Sequence, residues 1–62
     1  MRSVTATAVL LVEDDERISE PLIRVLRAEA YDVDHVDTGM GAVHAVAARV
    51  PDLVLLDLTL PD

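Results

Sequence analysis

Apolar residues form two uninterrupted runs in this chain, AVLLV at residues 8–12 and LVLL at residues 53–56, and each run ends at an acid. Short apolar runs bounded by polar residues are typical of strands that are buried on both faces. Residues 31–37 alternate instead, with Tyr31, Val33 and His35 on one face. This alternation predicts a half-exposed strand at the edge of a sheet.

A helix is predicted between the first two strands, because apolar residues recur there at helical spacing. They are Ile18, Leu22, Val25, Leu26 and Ala30. We expect the helix to start near Glu16, with Asp14 or Asp15 as its cap. Pro21 then lies beyond the first turn, where proline kinks a helix or costs roughly 3 kcal/mol. A start at Ser19 would avoid this cost and is the alternative.

A second, shorter helix is predicted after a turn at Thr38 and Gly39, and Pro51 should stop it. Its apolar positions are Val43, Val46, Ala47 and Val50. The resulting order β-α-β-α-β is typical of an α/β fold with parallel strands and right-handed crossovers. The two fully apolar strands should lie side by side with the alternating strand outside, which predicts a three-stranded sheet of order 2-1-3.

Composition narrows the class of protein. The 62 residues suffice for one small domain, in which residues 1–7 are predicted to be a flexible tail. The formal net charge of −7, the lack of lysine and the single aromatic residue argue against a nucleic-acid interface in this segment. The apolar runs are too short to span a membrane, acids follow the first run too soon for a signal peptide, and cysteine is absent. We therefore expect a cytoplasmic protein with no membrane segment.

Acidic residues follow both apolar strands, Glu13 and Asp14 after the first and Asp57 after the third. Ligands of parallel α/β sheets bind at the carboxyl ends of the strands, where the strand order reverses. Adjacent strands are about 4.8 Å apart, so these carboxylates should converge. Hard oxygen ligands in this number suit Mg²⁺. The alternative is that the first acids only cap the helix and that Asp57 only forms a turn.

The motifs VLLVEDDERI, YDV and PDLVLLDLTLPD, in this order and spacing, resemble the first half of a response-regulator receiver domain of two-component signalling. The resemblance covers residues 8–62 and is closest to regulators that carry a winged-helix DNA-binding domain. It implies a flavodoxin-like, doubly wound fold, here a partial receiver that ends after the third strand. It also implies a sensor histidine kinase as partner and transcriptional control through an effector domain that this segment lacks.

The resemblance also assigns roles to individual residues. Asp57 would be the phosphoacceptor, in a signalling domain that catalyses at most its own phosphorylation and dephosphorylation. Asp14 would bind Mg²⁺ directly together with an oxygen of Asp57, and Glu13 would act through a metal-bound water. The backbone carbonyl of Thr59 would complete the protein ligands, and Pro61 would shape the loop.

Two departures from the family pattern stand out. Ala30 occupies the place where glycine usually ends the first helix, and a left-handed cap there would cost alanine about 1 kcal/mol more than glycine. The family's fourth and fifth strands, with the Ser or Thr and the Lys that contact the phosphoryl group, have no counterpart in these residues. The third strand would then present an apolar edge open to self-association, as a homodimer or by strand swapping.

Two other functions remain open at this point. A Mg²⁺-dependent phosphohydrolase with an aspartate nucleophile would want a second Asp where Thr59 stands. A self-associating structural fragment would leave the acidic pocket idle. Other polar residues have ordinary expected roles: Asp15 and Glu16 start the first helix, and Arg17, Arg24 and Arg27 solvate it, with a contact to the kinase as the alternative for these arginines. His35 and His44 are interpreted as surface or boundary residues.

Overall fold

The computed structural model describes residues 6–56 and has five elements. They are β1 (Ala8–Val12), α1 (Glu16–Ala28), β2 (Asp32–Val36), α2 (Gly39–Ala48) and β3 (Leu53–Leu56). The strands are all parallel and their order is β2-β1-β3. The predicted α/β class, element order and sheet order are confirmed. Asp57, Thr59 and Pro61, and residues 1–5 of the predicted tail, lie outside the described residues.

The core is built around β1, which lies between the other two strands. All four residues from Val9 to Val12 are buried, as the uninterrupted apolar run predicts. On the α1 side of the sheet, Val9, Leu11 and Val33 form one cluster. Partly buried apolar residues pack against it, namely Leu22, Ile23, Leu26 and Leu55.

Helix α1 begins at Glu16 with Asp15 as its cap and continues through Pro21, so the alternative start at Ser19 is wrong. The buried face is rotated from the predicted one. Ile18 and Val25 are about half exposed, whereas Ser19 is 1 % exposed. Within the described residues the Ser19 hydroxyl has no hydrogen-bond partner. The apolar spacing thus identified the helix and two of its inward residues, Leu22 and Leu26, but not the buried Ser19.

The carboxyl end of α1 is closed by a left-handed residue. Ala30 has φ of 70°, its N–H donates to the Arg27 carbonyl at 3.0 Å, and the Tyr31 N–H donates to the Leu26 carbonyl at 3.0 Å. These two bonds define a Schellman motif, which pairs carbonyls that the helix itself leaves without donors. The left-handed cap expected at Ala30 is confirmed.

Helix α2 packs on the sheet through small residues. Thr38 caps it by accepting the Gly41 N–H on its hydroxyl oxygen at 2.9 Å. A Cβ on Gly41 would lie 3.3 Å from Cβ of Val36 on β2, so the glycine permits this close approach. The half-buried residues are Gly41, Ala42 and Ala45. The predicted marker Val43 is exposed, and Val50 lies beyond the end of the helix at Ala48.

Side chains at the amino-terminal ends of the strands fasten the sheet. Asp52 accepts the Ala8 N–H on its carboxylate at 2.8 Å, and its own N–H donates to the Ala8 carbonyl at 2.8 Å. Arg49, which caps the carboxyl end of α2, pairs with Asp32 of β2 at 2.6 Å. These contacts tie the connections around α2 to the starts of β1 and β2.

Arg27 covers part of the outer edge of β2. The Asp32 N–H donates inward to the carbonyl of Thr7, the residue before β1. Because backbone groups of successive strand residues alternate in direction, the carbonyl of Val33 faces outward. The Arg27 guanidinium donates to this carbonyl at 3.0 Å. Arg27, expected to solvate α1 or to contact a kinase, therefore also contacts the edge strand.

Neither helix in the described part of the chain has the length and apolar character needed to cross a bilayer.

Candidate acidic site

A pocket of about 440 Å³ opens at the carboxyl ends of β1 and β2. Its lining includes four acidic side chains and no lysine or arginine. The lining residues are Glu13, Asp14, Glu16, His35, Val36, Asp37 and Gly41. This is the edge of the sheet where ligands of parallel α/β folds bind.

Glu13 is the most deeply buried acid of the pocket, at 2 % exposure. Its backbone N–H donates to the Val36 carbonyl at 3.0 Å, which continues the pairing of β1 with β2 by one residue. Its carboxylate accepts the Asp15 N–H at 3.2 Å. A buried carboxylate needs such donors, because burial without them is costly. Glu13 also lines a smaller apolar pocket of about 250 Å³ with Leu11, Leu22, Leu55 and Leu56.

Asp14 is exposed and lines the same pocket as Glu13, whereas Asp15 is engaged elsewhere. Asp15 accepts the backbone N–H of Arg17 at 2.9 Å, and its carboxylate also receives the Arg17 guanidinium at 2.9 Å. These hydrogen bonds from Arg17 hold the pKa of the Asp15 carboxyl below its usual value. The expectation that Asp15 starts the helix is confirmed, which leaves Glu13 and Asp14 for the site.

His35 contributes a side-chain contact to the turn that carries the acids. Its Nε2 lies 2.8 Å from the backbone carbonyl oxygen of Glu13. A carbonyl oxygen only accepts, so Nε2 carries the hydrogen of this bond. The bond connects β2 to the residue that follows β1.

The structure brings together two of the four residues assigned to the site from the sequence. Glu13 and Asp14 share the pocket, while Asp57 and Thr59 lie outside the described residues. The register of β3 is defined up to its last residue: Leu56 pairs with Val12, and Leu55 pairs with Leu11. The strand that precedes Asp57 therefore runs beside the strand that precedes Glu13.

The fit to a magnesium ion depends on the donor chemistry. Glu13 and Asp14 offer carboxylate oxygens, the hard ligands that Mg²⁺ prefers. Within residues 6–56, no group of three or more His, Cys, Asp or Glu side chains is arranged to hold a metal ion. The two acids thus fit as part of a ligand set, and the other expected ligands belong to residues 57–62.

Asp37 and His35 line the pocket but were not anticipated from the sequence. Asp37 follows β2 directly, as Glu13 follows β1, so the strand-end argument applied to β2 would have found it. His35 precedes the end of β2 by one residue, and no sequence pattern signals that its ring turns toward Glu13. Only the paired register of the two strands makes that contact evident.

Comparison with known proteins gives a consistent family. Residues 9–62 match the family model described as response regulator receiver domain. The DNA-binding response regulator MtrA of Mycobacterium tuberculosis is 47 % identical over 53 residues, which are 86 % of this chain and 23 % of the relative. The transcriptional regulatory protein KdpE of the same species is 43 % identical over 56 residues, 90 % of this chain and 25 % of the relative. The chain thus spans about a quarter of the length of these relatives. No solved structure matches significantly.

Proposed function

Because the chain belongs to the response regulator receiver domain family, we propose that it is the phosphoryl-accepting module of a two-component system, with Asp57 as the acceptor. Its partner in this proposal is a sensor histidine kinase, and both act in the cytoplasm. The module is a signalling domain whose chemistry is limited to gaining and losing its own phosphoryl group.

The observation that supports Asp57 most directly is the register of β3. Leu56, the residue before Asp57, pairs with Val12, the residue before Glu13. Parallel neighbouring strands are about 4.8 Å apart, so we expect an aspartate that follows β3 to lie next to the acidic turn. Two hydrogen bonds, from Ala8 to Asp52 and from Asp52 to Ala8, anchor the start of β3 against β1 and thereby fix this register.

In the proposed phosphoryl transfer, one bond to phosphorus forms and one breaks. A carboxylate oxygen of Asp57 bonds to phosphorus, and the bond between phosphorus and a histidine nitrogen of the kinase breaks. The electron pair of that bond leaves with the imidazole nitrogen, which takes up a proton from solvent. The product is an acyl phosphate on Asp57.

The acids of the first turn would hold Mg²⁺ for this reaction. Asp14 and Asp57 would each supply a carboxylate oxygen, Thr59 its backbone carbonyl, and Glu13 would act through a metal-bound water. When bound, the ion offsets the negative charge that accumulates as phosphate meets carboxylate. Glu13 suits the indirect role, because its buried carboxylate already accepts the Asp15 N–H.

The relatives support a proposal about the output of the module. MtrA is named a DNA-binding response regulator and KdpE a transcriptional regulatory protein. We propose that the protein to which this segment belongs also controls transcription, through an effector region outside these residues. The net charge of −7 supports the view that this segment does not itself contact nucleic acid.

Acetyl phosphate, which replaces the kinase as donor, tests the proposal. We expect intact-mass spectrometry to show the gain of one phosphoryl group when the chain is incubated with acetyl phosphate and Mg²⁺. Asp57→Asn should abolish the gain, because an amide oxygen forms no stable acyl phosphate. Asp14→Asn should slow it at least tenfold at limiting Mg²⁺, since removing a metal ligand weakens binding.

Asp34→Asn is the matched control, because Asp34 is an exposed aspartate of β2 outside the pocket lining. It should be phosphorylated at the wild-type rate. Persistence of the mass gain in Asp57→Asn would refute the assignment of the acceptor. A wild-type chain that gains no phosphoryl group would refute the proposed function.

A second candidate is self-association, as a homodimer or by strand swapping, through the outer edge of β3. The observation that favours it is the exposure of β3: Leu53, Val54 and Leu56 are 48 %, 47 % and 56 % exposed. Apolar edge strands with this exposure pair readily with other chains. Under this alternative the acidic pocket plays no part, and Asp57→Asn leaves the oligomeric state unchanged.

A further inference from the structure

The hydrogen bond between His35 and Glu13 stands at the point where the pairing of β1 and β2 ends. In the described residues, the Asp32 N–H donates to the Thr7 carbonyl at one end of the pair. Moving six residues along both strands places the N–H of Thr38 opposite the carbonyl of Glu13. Thr38, however, is the cap of α2, and the chain has already left the strand after Val36.

The His35 side chain takes over the place of that missing backbone donor. Its Nε2 hydrogen bonds the Glu13 carbonyl at 2.8 Å, a length typical of a strong N–H to O contact. With the Glu13 N–H bound to the Val36 carbonyl, both backbone groups of Glu13 are tied to β2. The hydrogen bond exists in the Nε2–H tautomer and in the doubly protonated ring alike, so it does not depend on the charge of the histidine.

This bond limits where the Asp14 side chain can lie. The carbonyl of Glu13 belongs to the peptide unit that joins Glu13 to Asp14, and a peptide unit is planar. Holding its oxygen therefore holds the orientation of the Asp14 backbone N–H and restricts where the Asp14 Cα and carboxylate can lie. Asp14 is otherwise exposed, and within residues 6–56 its carboxylate has no hydrogen-bond or ion-pair partner.

We propose that His35 is a positioning residue of the acidic site, which orders the Glu13–Asp14 peptide so that the Asp14 carboxylate faces the bound cation. The inference rests on the proposed function and adds to it a residue that touches neither the phosphoryl group nor the metal. A strand position on an exposed edge could hold many side chains, but only one with a donor at this reach replaces the missing backbone N–H.

Two substitutions with side chains of similar length distinguish the effect of the hydrogen-bond donor from the effect of side-chain size. His35→Gln places an amide N–H near the position of Nε2, whereas His35→Met has no donor. We expect His35→Met to weaken Mg²⁺ binding about tenfold, as loss of an outer contact to a metal ligand does. His35→Gln should restore most of the affinity. The affinity is measured from the NMR signals of the Glu13 and Asp14 amides as Mg²⁺ is added, without phosphoryl transfer.

His44→Met is the matched control, because His44 lies on α2 outside the pocket lining and has no hydrogen bond within the described residues. It should bind Mg²⁺ as tightly as the wild type. Circular dichroism of each variant verifies that the fold is retained. The nitrogen shifts of the His35 ring in the wild-type chain at alkaline pH, which need no variant, should show the Nε2–H tautomer.

The outcomes separate this inference from the proposed function. Equal Mg²⁺ affinity in wild type and His35→Met, or an Nδ1–H tautomer at His35, overturns the positioning role and leaves Asp57 as the proposed acceptor. A wild-type chain that binds no Mg²⁺ overturns the magnesium-dependent function and the role of His35 with it. Loss of affinity in His35→Met with recovery in His35→Gln supports both.

Discussion

At Ala30 the backbone adopts φ of 70°, a conformation in which the Cβ of an L-residue crowds the following carbonyl. The Schellman bonds from Ala30 and Tyr31 back to α1 hold the residue there. The chain adopts this conformation despite its energetic cost, because it must reverse direction before β2 starts at Asp32. A non-glycine residue with positive φ is a position where a substitution can stabilise the fold without altering side-chain contacts.

Replacing Ala30 by glycine should therefore stabilise the chain. Glycine adopts positive φ without a steric penalty, and we expect the free energy of unfolding to rise by about 1 kcal/mol. Urea denaturation at fixed pH measures the change. Ala28→Gly is the matched control, since Ala28 has a helical backbone and the same substitution should lower the free energy of unfolding there. Equal effects at the two positions would contradict the role given to the backbone angle.

Helix α1 illustrates what the sequence predicts about an element and what it leaves open. The acidic start and the apolar spacing predicted a helix from Glu16, which is correct. The same spacing predicted one inward face. Leu22 and Leu26 of that face pack on the core, whereas Ile18 and Val25 are about half exposed and Ser19 is buried instead. The inward face depends on how the helix crosses the sheet, and the sequence of the helix alone does not encode this crossing.

The cap of α1 also predicts how stability depends on pH. Hydrogen bonds from Arg17 lower the pKa of Asp15 in the folded chain, so the unfolded chain binds a proton at higher pH than the folded one. The contribution of Asp15 is fully present above about pH 5 and is lost as the pH falls through its folded pKa, below the ordinary value of about 3.9.

We therefore expect the urea midpoint to fall less steeply with decreasing pH below 5 in Asp15→Asn than in the wild type. Asparagine retains the cap but does not titrate in this range. Arg17→Gln should also make the urea midpoint depend less on pH below 5. It keeps the Asp15 carboxylate and removes the guanidinium that lowers the pKa of this carboxylate. The same dependence of the urea midpoint on pH in all three chains would show that the contact with Arg17 does not stabilise the fold.

At the scale of the whole molecule, the sequence predicted the sheet order and the place of two acids. Glu13 and Asp14 line one pocket, as expected, because the topology of parallel strands places strand-end residues at the same edge of the sheet. The contribution of His35 could not be predicted, since it depends on a hydrogen bond between two strands distant in sequence. The roles of Asp57 and Thr59 remain predictions, because these residues lie outside the described part of the chain.

Exposure of β3 leads to a prediction about self-association. If two copies pair through this strand, Val54→Lys should shift the protein to a monomer in size-exclusion chromatography with light scattering, because lysine on an edge strand opposes pairing. Val43→Lys is the matched control: it adds the same charge at an exposed valine, but on α2. A dimer that survives Val54→Lys, or dissociates equally in both variants, would argue against pairing through β3.

The guanidinium of Arg27 on the outward carbonyl of Val33 determines what shape an assembly could take. A filament of stacked sheets needs two different open edges on every copy, so that each copy offers one and receives the other. A strand approaching β2 meets this arginine at Val33, which makes β3 the more accessible edge of the described sheet. Two copies that pair through β3 across a twofold axis form a dimer in which both β3 edges are covered. No further copy can then add through β3. Without Arg27 the β2 edge would also be open to pairing, and dimers could then associate further into fibres.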